Sequence, residues 1–327
     1  MASMLLPELV EEILLRVPPD ELTHLVCTTL ICKSWCHILS DRIFLRRYRR
    51  FHQSPPLLGY IYSHYGVRHT LTARFIPIST TNPIFTLALD CNWLAFDCRH
   101  GRVLIRTYKS GHTIGPLVVW DPITGQQQHL SMPIYPCDFG SYMITVLCAI
   151  DGCDHLDCHG GPFLIVFVGT NKTGDGILTW ASAYSSETGM WSSPSSIGTD
   201  FCISRKPSLL IRDALYFILG DGSILKYDLC KHGLSMISLS GVHHTAILMK
   251  SEEGELRLVT LLREGIYMLS QKACTDGIGQ WVKQRVMGLE TLLPKCDQSD
   301  KSEVIGFVEG TDTIFISTYK GIFTLSP

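Results

Sequence analysis

The sequence of 327 residues lacks a charge imbalance, a membrane-spanning apolar run and a secretory leader. It carries 28 basic and 30 acidic residues, so it offers no general field for a polyanion such as DNA. Its best apolar stretches, residues 142–150 and 163–168, fall short of the about 18 residues that cross a bilayer. The first 15 residues contain three glutamates and no basic leader, unlike a secretory signal. We therefore expect an intracellular protein, cytoplasmic and/or nuclear, that binds neither nucleic acid nor membranes.

Signature motifs of common enzymes are also missing. The chain has no Gly-x-Ser-x-Gly, His-Glu-x-x-His or Gly-x-Gly-x-x-Gly sequence, which argues against the usual hydrolases and dinucleotide enzymes. The glycine-rich segment 169–176 lacks the Gly-Lys-Ser/Thr order of a phosphate loop. Thirteen cysteines are scattered through the chain and resemble the small buried hydrophobes of a reducing compartment. We predict a non-enzymatic protein with no catalytic residues and no cofactor.

The first 58 residues contain no glycine, and their apolar residues recur at helical spacing. Pro7 suits the first turn of a helix, and the pair at positions 18 and 19 ends it. Asp20 is positioned to cap a second helix, and Ser40 or Asp41 to cap a last one that holds Phe44. The first predicted helix carries one apolar stripe, formed by Leu9, Val10, Ile13, Leu14 and Val17. A helical unit this small has too little core to stand alone, so either the rest of the chain or another protein must cover its leucines.

These residues resemble an F-box. The pattern has a Leu-Pro start, a Pro-Pro break and a Cys-Lys-x-Trp group in that order, and it spans about residues 5–50. The segment between Pro19 and Trp35 is a few residues longer than in the commonest F-box pattern, a form similar to F-box proteins of cereal grasses. Segments 47–52, 55–59, 120–125 and 152–162 are similar to the same group.

The resemblance implies an adaptor role. An F-box binds a Skp-type adaptor, which links it indirectly to a cullin and a RING ubiquitin ligase, and the carboxy-terminal domain binds a protein substrate of unknown identity. A helix-in-groove contact of this kind uses apolar anchors and a buried aromatic. By resemblance the adaptor-contacting or contact-supporting positions are Leu6, Pro7, Ile13, Leu14, Val17, Leu22, Cys32, Lys33, Trp35 and Leu39. The alternative is an ordinary helical subdomain packed on the rest of the chain.

After residue 56 the pattern changes to short β-branched or alternating runs separated by turn residues, which predicts an all-β region. An aromatic residue followed by Asp or Ser and a turn recurs at Trp120, Tyr184, Tyr227 and Tyr267, at steps of 64, 43 and 40 residues. Blades of WD and kelch propellers have about 40–50 residues. We predict an α+β multidomain chain: an all-α F-box domain over residues 1–52 and an all-β, kelch- or WD-like propeller of about six blades over residues 53–327. A two-sheet sandwich is the alternative.

Two clusters of polar residues have compositions typical of functional sites. Segment 153–159 holds two cysteines, two histidines and two aspartates, but structural zinc sites usually pair two short knuckles well apart in sequence. We predict a turn stabilised by Asp capping and no metal. Five arginines lie between residues 42 and 50, where they either form a nucleic-acid patch or flank an apolar helix stripe with their stems. The neutral net charge favours the second reading.

These observations favour a substrate-receptor subunit of an SCF-type ubiquitin ligase. Two alternatives stay open: an F-box scaffold that acts outside ubiquitination, and a propeller enzyme or sugar binder whose helical start is only a cap. The target, and the loop residues that would bind it, are not encoded in any local signature.

Overall fold

The computed structural model of the chain describes residues 7–18, 33–52, 59–65, 71–77, 93–108, 114–122, 124–135, 141–174, 176–237, 245–251, 253–262, 265–272, 280–288, 302–308, 313–318 and 321–325. The chain forms two compact units. The first comprises Met1–Ala95, His100–Gln127 and Ile150–Gly161, and the second comprises Phe96–Arg99, Gln128–Ala149 and Pro162–Pro327. Among the described residues, no helix is both long and apolar enough to span a membrane.

Three helices are described, all in the first unit: α1 (Pro7–Leu15), α2 (Lys33–Ser40) and α3 (Arg42–His52). Their starts follow from sequence. Pro7 begins α1, where its missing N–H is harmless, and Asp41 caps α3 through its Oδ2, which accepts a hydrogen bond from the Phe44 N–H at 3.2 Å. The helix expected after Asp20 lies outside the described residues.

The strands form a propeller of antiparallel sheets. Blade 1 is β3 (Trp93–Arg99), β4 (Arg102–Tyr108), β5 (Ile114–Trp120) and β6 (Gln127–Leu130). Blade 2 is β7 (Tyr142–Cys148), β8 (Phe163–Thr173), β9 (Gly176–Ser185), β10 (Met190–Trp191) and β11 (Ser195–Thr199). Blade 3 is β12 (Leu209–Ile211), β13 (Ala214–Ile218), β14 (Ile224–Asp228) and β15 (Gly233–Ile237).

Blade 4 is β16 (Ile247–Lys250), β17 (Leu256–Leu262), β18 (Gly265–Lys272) and β19 (Gln280–Gly288), and blade 5 is β20 (Glu303–Phe307), β21 (Ile314–Thr318) and β22 (Gly321–Leu325). Within each blade the strands pair in chain order, except that β10 and β11 both pair with β9. A separate hairpin, β1 (Gly59–Tyr65) with β2 (Leu71–Pro77), precedes them and pairs Gly59 with Pro77.

The blade count corrects the sequence prediction. The described residues form five blades where about six were expected. Dividing the length of the β region by the average length of a blade gives too many blades, for two reasons. Residues of the β1–β2 hairpin lie outside the blades, and blade 2 contains strands of 11 and 10 residues as well as the loop between β7 and β8. Three of the four recurring aromatic-turn segments are confirmed, because Trp120, Tyr184 and Tyr227 lie at or next to the ends of β5, β9 and β14. The fourth is wrong, since Tyr267 lies within β18 and the strand continues to Lys272.

The core of the second unit consists of apolar layers between successive blades. One layer joins blades 2 and 3 and includes Val168, Ala181, Phe217 and Tyr227. Further layers join blade 3 to blade 4 and blade 4 to blade 5. In the first unit Ile105 and Trp120 of blade 1 belong to a separate cluster. Strands that are buried on both faces carry apolar residues at consecutive positions, as most of β7 and residues 163–168 of β8 do.

Candidate functional site

Helix α1 has two apolar faces. Val10, Leu14 and Leu15 are buried in a cluster with Phe44 of α3, which we call the helical cluster. Leu9 and Ile13 are 50% and 54% exposed. They are four residues apart and therefore lie on one face of the helix. The single apolar stripe predicted from the sequence is thus divided into a buried part and an exposed part. Its residues cover a wide arc of α1, and α3 packs against only one side of that arc.

The other predicted adaptor contacts differ in their surroundings. Lys33 is exposed at the start of α2, while Trp35 and Leu39 are half-buried against the helical cluster. The Val17 carbonyl accepts a hydrogen bond from the Tyr48 hydroxyl at 2.7 Å. Pro7 begins α1, and Leu6, Leu22 and Cys32 lie outside the described residues. The structure therefore assigns Leu14 to the interior of the helical segment and leaves Ile13 as an accessible member of the set.

Sequence reasoning missed two exposed apolar residues. Leu9 was part of the predicted stripe but was not among the proposed contacts, although its spacing of four from Ile13 marks a shared face. Ile43 on α3 is 78% exposed. Phe44 packs into the helical cluster, and Ile43 precedes it by one residue, about 100° around the helix, on the side away from the cluster.

The arginine run on α3 lies opposite carboxylates. Arg46 and Arg50 pair with Asp154 at 2.7 and 3.3 Å. Arg42 and Arg49 pair with Asp157 at 2.5 and 3.4 Å. Both aspartates belong to the 150–161 loop, defined as Ile150–Gly161.

The fifth arginine of the run also has carboxylate partners. Arg47 pairs with Glu12 and with Glu11 of α1. The positive charge of the run is therefore largely neutralised within the first unit, which weakens the nucleic-acid reading.

Hydrogen bonds lower the pKa of Asp154 in this arrangement. Burial raises the pKa of its carboxyl group, but the Leu156 N–H and the Arg46 guanidinium outweigh that effect and hold it below the usual value. The Leu156 N–H donates to Asp154 Oδ1 at 3.3 Å, which forms the Asp-capped turn predicted from sequence. The carboxylate therefore stays ionised opposite α3 at neutral pH.

The 150–161 loop is fixed from blade 1 as well. The Arg102 guanidinium, buried on β4, donates to the carbonyl oxygens of Cys158 and Gly161 at 2.7 and 2.5 Å. A hydrogen bond of 2.9 Å joins His159 Nδ1 to Asp121 Oδ2 at the end of β5. The loop is thus anchored at both the helix side and the sheet side within one unit.

Comparison with known proteins decides the family. A family model described as F-box protein AT5G49610-like, beta-propeller, matches residues 95–323. The chain belongs to this family. The match covers blades 1 to 5 almost completely, and it lies outside the helical segment, so the F-box itself still rests on the sequence pattern and on the helices. The cereal-grass assignment is not part of the match.

The solved structures that are similar to this F-box-family chain are so at low sequence identity. The fungal lectin of Aleuria aurantia, a six-bladed β-propeller with a fucose recognition mode, is 13% identical with a TM-score of 0.43, over 81% of this chain and 89% of the lectin. TolB from Acinetobacter baumannii is 13% identical with a TM-score of 0.42, over 88% of this chain and 70% of TolB. No curated protein matches the sequence.

Proposed function

We propose that this protein is the substrate-receptor subunit of an SCF-type ubiquitin ligase. Residues 1–52 form an F-box that binds a Skp-type adaptor, and residues 53–327 bind the protein to be ubiquitinated. The observation that carries the proposal is the outward apolar pair Leu9 and Ile13 on α1, in a chain whose propeller belongs to an F-box-protein family. Two exposed aliphatic side chains at helical spacing fit a helix-in-groove contact.

The chain needs no catalytic residues in this role. It acts by proximity, because the adaptor connects it to a cullin while the propeller holds the target, which raises the effective concentration of acceptor lysines near the charged ubiquitin-conjugating enzyme. Propellers suit target binding since their loops collect on a rigid frame. We place this activity in the cytoplasm or nucleus, where SCF-type ligases act.

We predict that Leu9→Glu and Ile13→Glu each weaken binding to a Skp-type adaptor by at least about tenfold. A charge placed in an apolar contact removes its burial energy and leaves a desolvated carboxylate. Binding is measured by isothermal titration or pull-down with the purified full-length chain. Met190→Glu is the matched control, because Met190 is 67% exposed on β10 of the propeller, and it should leave adaptor binding unchanged.

Leu14→Glu is unsuitable for this test. Leu14 is 2% exposed in the helical cluster, so a glutamate there would disrupt the packing of α1 against α3. Retained adaptor binding by both Leu9→Glu and Ile13→Glu would contradict the docking face. A wild-type complex that contains the adaptor but never a cullin would contradict the ligase assignment and favour the scaffold.

A further inference from the structure

The 150–161 loop brings two thiols and an imidazole together. The sulfur atoms of Cys153 and Cys158 and a ring nitrogen of His155 lie within 4.8 Å of one another. No disulfide joins the described cysteines, and Cys158 is buried at 4% exposure. The Cys-x4-Cys spacing in the sequence does not predict this cluster, because the spacing does not determine how the intervening chain orients its side chains. The turn itself creates the cluster.

The separations within the cluster suit a tetrahedral metal. His155 Nδ1 lies 3.7 Å from Cys158 Sγ. Around zinc, with Zn–S of about 2.3 Å and Zn–N of about 2.0–2.1 Å, neighbouring ligand atoms are about 3.5–3.8 Å apart. A cation between these atoms would therefore need only small rotations of the side chains.

The backbone of the loop holds these side chains in a shared direction. His155 has a φ of 55°, the left-handed conformation that non-glycine residues adopt rarely. This turn directs its backbone N–H to Cys153 Sγ, which accepts a hydrogen bond at 3.4 Å. Such N–H donation stabilises a sulfur that carries negative charge. Strained conformations of this kind persist where surrounding contacts fix them, and they concentrate at functional sites.

Neighbouring side chains contact His155 and Cys158 and hold their orientation. The His155 ring stacks on the His100 ring with centroids 3.9 Å apart and planes inclined by 16°. The Cys158 carbonyl is held by Arg102. Outer contacts that fix ligand orientation accompany most metal sites in proteins.

The charges indicate which metal fits. Asp154 and Asp157 of the same loop are engaged by arginines of α3, whereas the donor atoms gathered in the cluster are sulfur and nitrogen. Calcium and magnesium require oxygen ligands, whereas zinc favours thiolate and imidazole. Two thiolates balance the charge of one Zn²⁺ ion, so metal binding leaves the arginine–aspartate pairs undisturbed.

We propose that the 150–161 loop binds one zinc ion through Cys153, His155 and Cys158, with the fourth position taken by water or by a ligand from outside the loop. Binding converts both thiols to thiolates and releases their two protons to solvent. The bound ion holds in place the loop that carries the acidic partners of α3. This inference does not depend on the proposed ligase function.

The test is metal analysis of the full-length chain, purified under reducing conditions with zinc supplied during expression. We expect about one zinc per chain by plasma mass spectrometry, and a loss of about tenfold or more in Cys153→Ser and Cys158→Ser. His155→Asn should also lose zinc while keeping the turn, because asparagine tolerates the left-handed conformation. Cys230→Ser, at an exposed turn of blade 3, is the matched control and should retain full occupancy.

Cobalt substitution provides a readout on the wild-type protein alone, so the proposal stays testable if a variant fails to fold. We expect the visible bands of tetrahedral Co²⁺ and thiolate-to-cobalt charge transfer in the near ultraviolet. Zinc near zero in the wild-type chain, a cobalt spectrum without charge transfer, or a Cys153–Cys158 disulfide found by mass mapping would each overturn the proposal.

Discussion

Tyr227 illustrates how blade 3 stabilises a single buried polar group. Its ring is fully buried in the layer between blades 2 and 3, and its hydroxyl oxygen lies 2.8 Å from His232 Nδ1. Burial, with a smaller contribution from the charge of Asp228, raises the pKa of Tyr227 to about 12. The Tyr227 phenol therefore stays neutral at pH values well above about 10, the ordinary pKa of a tyrosine.

This shift predicts an alkaline limit to stability. Because the folded-state pKa is raised, the contribution of Tyr227 is fully present below pH about 10 and is lost as pH rises through about 12. The measurement is phenolate absorbance after a rapid pH jump, in the wild type and in Tyr227→Phe. The part of the absorbance that the variant lacks belongs to Tyr227, and it should appear in the wild type only near pH 12. Ionisation of Tyr227 at about pH 10 in the folded protein would show that its burial is wrong.

At the scale of elements, the turn between β3 and β4 determines where the 150–161 loop can lie. Gly101 has a φ of 75°, and a Cβ added there would lie 2.7 Å from His159 Cβ. Real Cβ atoms do not approach so closely, so His159 and its bond to Asp121 would have to move. A glycine in the turn thus permits the close approach of the loop.

We predict that Gly101→Ala destabilises the protein by about 1–3 kcal/mol more than Gly125→Ala. Gly125 is the matched control, since its φ of 73° carries the same left-handed strain, about 1–2 kcal/mol, while nothing lies within 4 Å of its added Cβ. Urea unfolding of both variants measures the difference. Equal losses would mean that the loop does not pack against the turn.

Elements that depend on local chemistry were predictable from the sequence. The start of α1 at Pro7 and the cap of α3 at Asp41 follow from residues that act within one turn. The turn after Trp120 forms as expected, with the Thr124 N–H donating to Asp121 Oδ1 at 3.2 Å. In contrast, the apolar run 208–219 has the pattern of one continuous strand, whereas the structure divides it into β12 and β13 at Arg212, which has a φ of 52°.

Features that depend on distant contacts were not predictable. Leu14 and Ile13 are both apolar, and only the packing of α3 on one side of α1 makes the first internal and the second exposed. The joint position of Cys153, His155 and Cys158 likewise depends on a loop held by arginines more than 50 residues away in the chain. Periodicity records which residues are apolar, but it does not record which neighbour covers them.

At the scale of the whole molecule, the blades of the second unit depend on each other. A single blade buries its apolar faces only when its neighbours are in place, and blades 2 to 5 are connected in this way by three successive layers. Radial packing also shortens the exposed sheet edges. Stability should therefore respond strongly to a change within a layer and weakly to a change of the same residue type on the surface.

Two phenylalanines allow this to be tested. Phe217 of β13 is 1% exposed in the layer between blades 2 and 3, and Phe201 is 46% exposed. Phe217→Ala should lower the free energy of unfolding by about 3–5 kcal/mol, because it removes buried area and leaves a cavity between two blades. Phe201→Ala should change the free energy of unfolding by about 0.5 kcal/mol or less.

Equilibrium urea unfolding, followed by fluorescence and far-ultraviolet circular dichroism, measures both variants. If the layers hold the blades together, Phe217→Ala shifts both signals to lower urea concentration, whereas a shift confined to one signal would mean that the blades unfold independently.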